Sequence, residues 1–137
     1  MKFKLHHIAY ATKSTDKSIE SFKNIYCNII TYKKLEKSQN VYYTYLGSEV
    51  DQQMIELVEP YGESTPIDNI LKNSDCVLYH ICYEVDDLKE AKEYLTKRGF
   101  FMVTKPFEPE YEKGTLVCHF FNPYSGVTEI LCKGGSC

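Results

Sequence analysis

Two six-residue runs constrain this chain more than anything else in it. Leu5-His6-His7-Ile8-Ala9-Tyr10 aligns with Leu78-Tyr79-His80-Ile81-Cys82-Tyr83 at an offset of 73 residues. The same offset carries Met54-Ile55-Glu56-Leu57-Val58 onto Val127-Thr128-Glu129-Ile130-Leu131, so in each copy a His and a Glu inside apolar runs stand 49 residues apart. Chance does not readily repeat two polar residues at one spacing within two apolar runs. Self-similarity at a fixed offset marks a repeated structural unit, and two copies are too few for a solenoid. The expectation is a closed, pseudo-symmetric pair of modules.

Each copy reads as a strand, a helix and three further strands. In the first, β-branched and aromatic residues place a strand over 5–11, and Ile19, Phe22 and Tyr26 recur at helical spacing over 15–26. Strands follow near 29–35, 41–46 and 54–58. In the second, Asp87 with Glu90 three residues on predicts a capped helix whose apolar face is Leu88, Ala91 and Leu95. Gly99 stands where a helix end wants a left-handed residue. Strands near 101–105, 115–121 and 128–132 follow, the last two separated by the turn cluster Asn122-Pro123-Tyr124-Ser125-Gly126. Pro60-Tyr61-Gly62-Glu63-Ser64-Thr65-Pro66 has linker composition and leads into a short helix predicted over 67–71. The fold class expected is α+β: two tandem βαβββ modules pairing into one curved mixed sheet, a cup with its helices outside. Residues 1–137 then form a single domain, with module 1 over about 1–60, a linker over about 60–76, module 2 over about 77–133 and a flexible tail over 134–137.

Composition narrows the function classes. A length of 137 residues and a hydrophobic share of 43% suffice for one real core. No apolar run approaches the ~20 residues that cross a bilayer, and the first residues lead into a strand pattern rather than an apolar signal core. A cytoplasmic location without membrane contact is expected. Net charge is −3, and the one basic stretch, Lys33-Lys34 to Lys37, is interrupted by Glu36. That argues for a solvated face and against nucleic acid as partner. Six cysteines include no CxxC pair, so a structural zinc knuckle has no support. Cys82 and Cys118 lie in apolar runs and read as small buried hydrophobes.

Strand side chains two apart share a face, so His7 falls with Leu5 and Ala9, and Glu56 with Met54 and Val58. His80 and Glu129 take the matching places in the second copy. An ionised Glu among apolar neighbours is costly unless paired or metal-bound. Two such acids, each matched by a His and related by one offset, point to a shared divalent cation on His7, Glu56, His80 and Glu129. A mixed nitrogen and oxygen set suits nickel, cobalt, zinc, iron or manganese. Glu108, Glu110 and Glu112 read instead as a solvated acidic loop. Tyr42, Tyr43 and Tyr45, with Phe120 and Phe121, read as half core and half surface by strand alternation.

From His6-His7-Ile8-Ala9-Tyr10-Ala11 to Glu129-Ile130-Leu131 the chain resembles the vicinal oxygen chelate superfamily, which includes glyoxalase I, methylmalonyl-CoA epimerase, extradiol dioxygenases and antibiotic resistance proteins. The stretch from Ile55-Glu56-Leu57-Val58-Glu59-Pro60 to Tyr79-His80-Ile81-Cys82-Tyr83-Glu84-Val85-Asp86 is most similar to the epimerase branch and the small glyoxalase-like proteins near it. The resemblance implies paired βαβββ modules around a metal, with ligand positions falling on His7, Glu56, His80 and Glu129. Many epimerases carry Gln where Glu56 stands; an acid there is typical of glyoxalase I. Epimerases also use a carboxylate base just before the second strand of a first-module hairpin, where this chain reads Lys37-Ser38-Gln39-Asn40 and has Glu36 as the nearest acid.

The function expected is a metal-dependent lyase (lactoylglutathione lyase-like) or isomerase that removes a proton alpha to a carbonyl through a metal-stabilised enolate. Glu129 is the first candidate for carrying that proton and Glu56 the second. The substrate class is a small molecule, a 2-oxo hemithioacetal or an acyl-thioester. The alternatives are a small-molecule or antibiotic binding protein of the same fold and a non-haem iron dioxygenase. A homodimer is a further implication of the resemblance.

Overall fold

A computed structural model describes residues 1–26, 28–110 and 112–134 of the chain. The elements run β1 (Lys4–Thr12), α1 (Thr15–Phe22), β2 (Asn28–Glu36), β3 (Val41–Gly47), β4 (Met54–Pro60), β5 (Cys76–Val85), α2 (Leu88–Thr96), β6 (Phe101–Met102), β7 (Thr115–Asn122) and β8 (Gly126–Lys133). The order βαβββ occurs twice, and the chain is α+β. No described helix is long and apolar enough to cross a membrane.

The chain divides into two compact units. The first is His7–Tyr79, in which the strands stand in the order β2-β3-β4-β1. Its β1 and β4 run parallel, with His7 opposite Met54 and Ala9 opposite Glu56. The second unit comprises Met1–His6 and the described residues from His80 on, in the order β5-β8-β7-β6. Here β5 and β8 are parallel, with His80 opposite Val127 and Cys82 opposite Glu129. Each of the five pairs in the first ladder has its counterpart 73 residues further on in the second. The repeat read from the side chains is thus also a repeat of backbone register. The six N-terminal residues pack with the second unit because Phe3 inserts there, edge-on to Tyr83 at 6.3 Å and tilted on Tyr94 at 5.7 Å.

Helix α1 starts where Ser14 takes the Lys17 amide onto its hydroxyl at 3.2 Å. It ends at Phe22, one turn short of the helix predicted from spacing. Beyond it Ile25 is 76% exposed and offers no burial to a longer helix. Tyr26 is drawn away instead, its hydroxyl donating to Asp51 at 3.0 Å. Helix α2 follows the sequence reading: Asp87 accepts from the Glu90 amide at 2.9 Å, and Leu88, Ala91 and Leu95 are buried. Gly99 takes φ +84°, the left-handed geometry that closes a helix without a Cβ penalty.

Residues 67–71 form consecutive turns rather than the short helix predicted. Thr65 donates both its amide and its hydroxyl to Asp68 (2.7 and 2.5 Å), and Leu71 N–H reaches Ile67 O at 3.3 Å. Five residues give too few propagating bonds to offset helix nucleation. The segment is more than a linker, because Ile67 and Leu71 are buried against Ala11, Val41 and Val58. In the second unit one core lies under α2, with Val85, Leu88, Ala91, Leu95, Cys118, Phe120, Ile130 and Cys132. A smaller cluster, Cys82, Val117 and Leu131 with Phe107 packed on it, fills the opposite face. The expected tail keeps only Gly134 among the described residues; 135–137 lie outside them.

Candidate functional site

Strand alternation and register set the position of the four candidate residues before any side-chain contact is considered. In the first unit His7 faces Met54, two residues before Glu56, so both point to one face. Their side chains meet, with His7 Nε2 3.5 Å from Glu56 Oε1, and both residues are buried. In the second unit His80 faces Val127, two residues before Glu129. His80 Nε2 lies 3.7 Å from Glu129 Oε2, again with both buried. The structure therefore joins each predicted His to its predicted Glu within its own unit.

These gaps are too long for a hydrogen bond between the pair. They approach the separation of two atoms bound to one ion, which at metal–ligand bonds of about 2.0–2.2 Å stand about 3–3.5 Å apart. Each unit thus offers one imidazole nitrogen and one carboxylate oxygen at a spacing a divalent cation can bridge. On this count the residues fit a bound metal.

The neighbours across each hairpin were not anticipated. In the antiparallel pairing of β3 with β4, Tyr45 stands opposite Glu56, and its ring meets His7 edge-on at 5.5 Å. In the pairing of β7 with β8, His119 stands opposite Glu129, and its ring lies 5.3 Å from that of His80. His119 is 4% exposed, and its Nε2 is 2.8 Å from Glu129 Oε2. The far side of the ring meets Thr104, whose Oγ1 is 2.9 Å from Nδ1 and accepts the His119 backbone N–H at 2.9 Å. Phe107 stacks on the ring at 6.2 Å.

That arrangement explains why β6 is two residues long and not five. Phe101 and Met102 pair with Phe121 and Phe120, but at the next step Val103 and Thr104 both direct their amides at the single acceptor His119 O, at 2.8 and 3.4 Å. The Thr104 hydroxyl then replaces a backbone carbonyl as partner of the His119 amide. Pro106 has no amide to continue the ladder.

Glu36, named from the sequence as the acid nearest the expected base position, is buried. At the end of β2 it is 1% exposed and accepts from the Ser38 hydroxyl at 2.5 Å. It faces Val41, which shares a strand face with Tyr43 and Tyr45. Burial pushes the Tyr43 hydroxyl above its ordinary pKa, and the charges of Glu36 and Glu56 add to the effect. Tyr43 therefore feels both acids. Burial likewise pushes the Cys118 thiol up to about 12, with Glu129 contributing. Cys82 and Cys118 are buried, as read from the sequence. Glu108 and Glu110 are exposed, and Glu112 pairs loosely with Lys133 at 3.7 Å, so the acidic loop is solvated.

Comparison with known proteins follows the same lines. Residues 6–119 match the model of the Glyoxalase/Bleomycin resistance protein/Dioxygenase superfamily. The mitochondrial methylmalonyl-CoA epimerase of Dictyostelium discoideum is 34% identical over 67% of this chain and 55% of its own length, so the chain spans little more than half of that relative. An ethylmalonyl-CoA/methylmalonyl-CoA epimerase of Cereibacter sphaeroides is 30% identical over 70% of this chain and 71% of its own. Among solved structures, the methylmalonyl-CoA epimerase of Mycobacterium tuberculosis superposes with a TM-score of 0.78 at 18% identity, covering 96% of this chain and 89% of that one. At that identity the likeness is one of fold.

Proposed function

The chain belongs to the glyoxalase/bleomycin resistance/dioxygenase superfamily, and from that premise we propose that it is a metal-dependent isomerase of the epimerase type acting on an acyl-CoA thioester. The observation that carries the reading is the duplicated His–Glu pair, buried and set in the same parallel register in both units. The relatives named as methylmalonyl-CoA epimerases support the reaction class and make methylmalonyl-CoA the first substrate to try.

His7, Glu56, His80 and Glu129 are the proposed ligands of one divalent ion, drawn from nickel, cobalt, zinc, iron and manganese. When bound, the ion supplies Lewis acidity toward the thioester carbonyl and the enolate oxygen that follows proton loss. Inverting the centre requires a proton to leave one face of the alpha carbon and return to the other, so carboxylates within reach act in turn as base and acid. We assign that work to Glu129 first and Glu56 second. Glu36 adds a third buried carboxylate, beside Tyr43, and answers the lack of an acid in 37–40.

Glu56 itself favours a second reading, a glyoxalase-type lyase on a 2-oxo hemithioacetal, because the superfamily resemblance associates an acid at that position with glyoxalase I. Incubation of the metal-loaded protein with methylmalonyl-CoA in deuterium oxide separates the readings. Alpha-deuterium incorporation with interconversion of the two epimers is the expected result. Turnover of a hemithioacetal without such exchange favours the lyase, oxygen consumption favours a dioxygenase, and tight binding with no turnover favours a binding protein; any of these three refutes the epimerase. The proposal extends to a single functional domain, a homodimer and a cytoplasmic location, against which stands the mitochondrial name of the Dictyostelium relative.

A further inference from the structure

Within the second unit, the contacts around Glu129 form a chain: the Thr104 hydroxyl, the His119 ring, then the Glu129 carboxylate. His119 Nε2 stands 2.8 Å from Glu129 Oε2, an ion-pair distance between two buried groups. On the other side of the ring Nδ1 lies 2.9 Å from the Thr104 hydroxyl. That hydroxyl is held in turn, because its oxygen already accepts the His119 amide. Phe107 fixes the ring plane.

We propose that His119, oriented by Thr104, is a positioning residue for metal binding: it holds Glu129 Oε2 and so aims the carboxylate beside His80 as a ligand. The inference rests on the proposed ligand role of Glu129 and adds the group that orients it. Imidazole and carboxylate partners of metal ligands fix ligand orientation, and their loss costs about 10–100-fold in affinity. In the first unit Tyr45 takes the place opposite Glu56.

The test is cobalt(II) binding, by chelator competition and by the visible spectrum of the bound ion, on the full chain and four variants. His119→Phe keeps the ring volume and the stack on Phe107 while deleting the nitrogen that meets Glu129. His119→Gln places an amide N–H near the Nε2 position. Tyr45→Phe is the matching change in the first unit, and Glu129→Ala removes the ligand itself. Circular dichroism checks that each variant is folded. The expected result is cobalt affinity weakened about 10–100-fold in His119→Phe, with an altered spectrum, substantial recovery in His119→Gln, and less than about a threefold change in Tyr45→Phe. Wild-type affinity and spectrum in His119→Phe, alongside loss of binding in Glu129→Ala, overturns the positioning role and leaves the ligand assignment standing. Weakening in His119→Phe that Gln does not recover also overturns it, since the polar contact to Glu129 would not be what matters. No cobalt binding by the wild-type chain, or undiminished binding in Glu129→Ala, refutes the underlying metal reading instead.

Discussion

Replacing Thr104 by Val tests the local architecture on which this site depends. The two side chains are nearly isosteric, so the change deletes a hydroxyl without opening a cavity. Two groups of a residue that is 4% exposed lose their partner: the His119 amide and His119 Nδ1, both 2.9 Å from the hydroxyl. A buried polar group left unsatisfied costs about 1–3 kcal/mol, which sets an upper range of about 2–6 kcal/mol for the pair. Thr104 itself is only half-buried, so water can reach part of the vacated position. The expected loss is therefore about 2–3 kcal/mol, a large share of a typical domain stability of about 5–15 kcal/mol. Urea unfolding of the metal-free protein measures it, with the dependence on denaturant unchanged if only the native contacts are affected. Thr104→Ser keeps the hydroxyl and is expected within about 1 kcal/mol of wild type. A Val variant within about 0.5 kcal/mol of wild type would refute the claim that this hydroxyl replaces a ladder carbonyl.

Three further outcomes are expected. His80→Ala and Glu56→Ala should each lose stoichiometric divalent metal, read by elemental analysis after gel filtration, while staying folded because the apolar cores do not include them; full retention in either removes that residue from the ligand set. Cys118 is held as a neutral thiol with its pKa raised to about 12 against an ordinary value of 9.0, so its contribution is intact below pH 9 and declines as pH rises toward 12. The slope is at most about 1.4 kcal/mol per pH unit, and urea midpoints between about pH 8 and 10.5 should show it in wild type but not in Cys118→Ala; equal slopes would contradict it. Glu59→Ala should destabilise by about 1–2 kcal/mol, since Glu59 accepts the Thr15 amide at the start of α1 at 2.7 Å and pairs with the partly exposed Lys33 at 3.2 Å. A change below about 0.3 kcal/mol would show that α1 does not depend on this anchor.

Much of the site was legible because it is written in local patterns. Alternation set His7 with Leu5 and Ala9 and Glu56 with Met54 and Val58, the offset gave His80 and Glu129 the matching places, and Asp87 with Glu90 announced α2; the parallel register then brought each His and Glu to one face. His119 was within reach as well. The turn cluster Asn122 to Gly126 closes the hairpin of β7 and β8, and counting back from the pair Asn122 and Gly126 sets His119 opposite Glu129. The repeat concealed it, because the two hairpins pair one residue out of step and the offset carries His119 onto Leu46 rather than Tyr45. Glu36 was singled out only as the acid nearest the expected base position; between lysines and next to a turn, its burial carried no local signal.

The amino-acid order alone determined the two βαβββ modules, the cap of α2 and the matching of one His with one Glu in each, because side-chain periodicity and capping act over a few residues. Tertiary structure decided which acids are buried, that residues 67–71 would turn into the core, and that Thr104 and His119 would stand beside Glu129. Those outcomes depend on strand register and on competition for single backbone acceptors such as His119 O. Residues far apart along the chain enter that competition only once the sheet has formed.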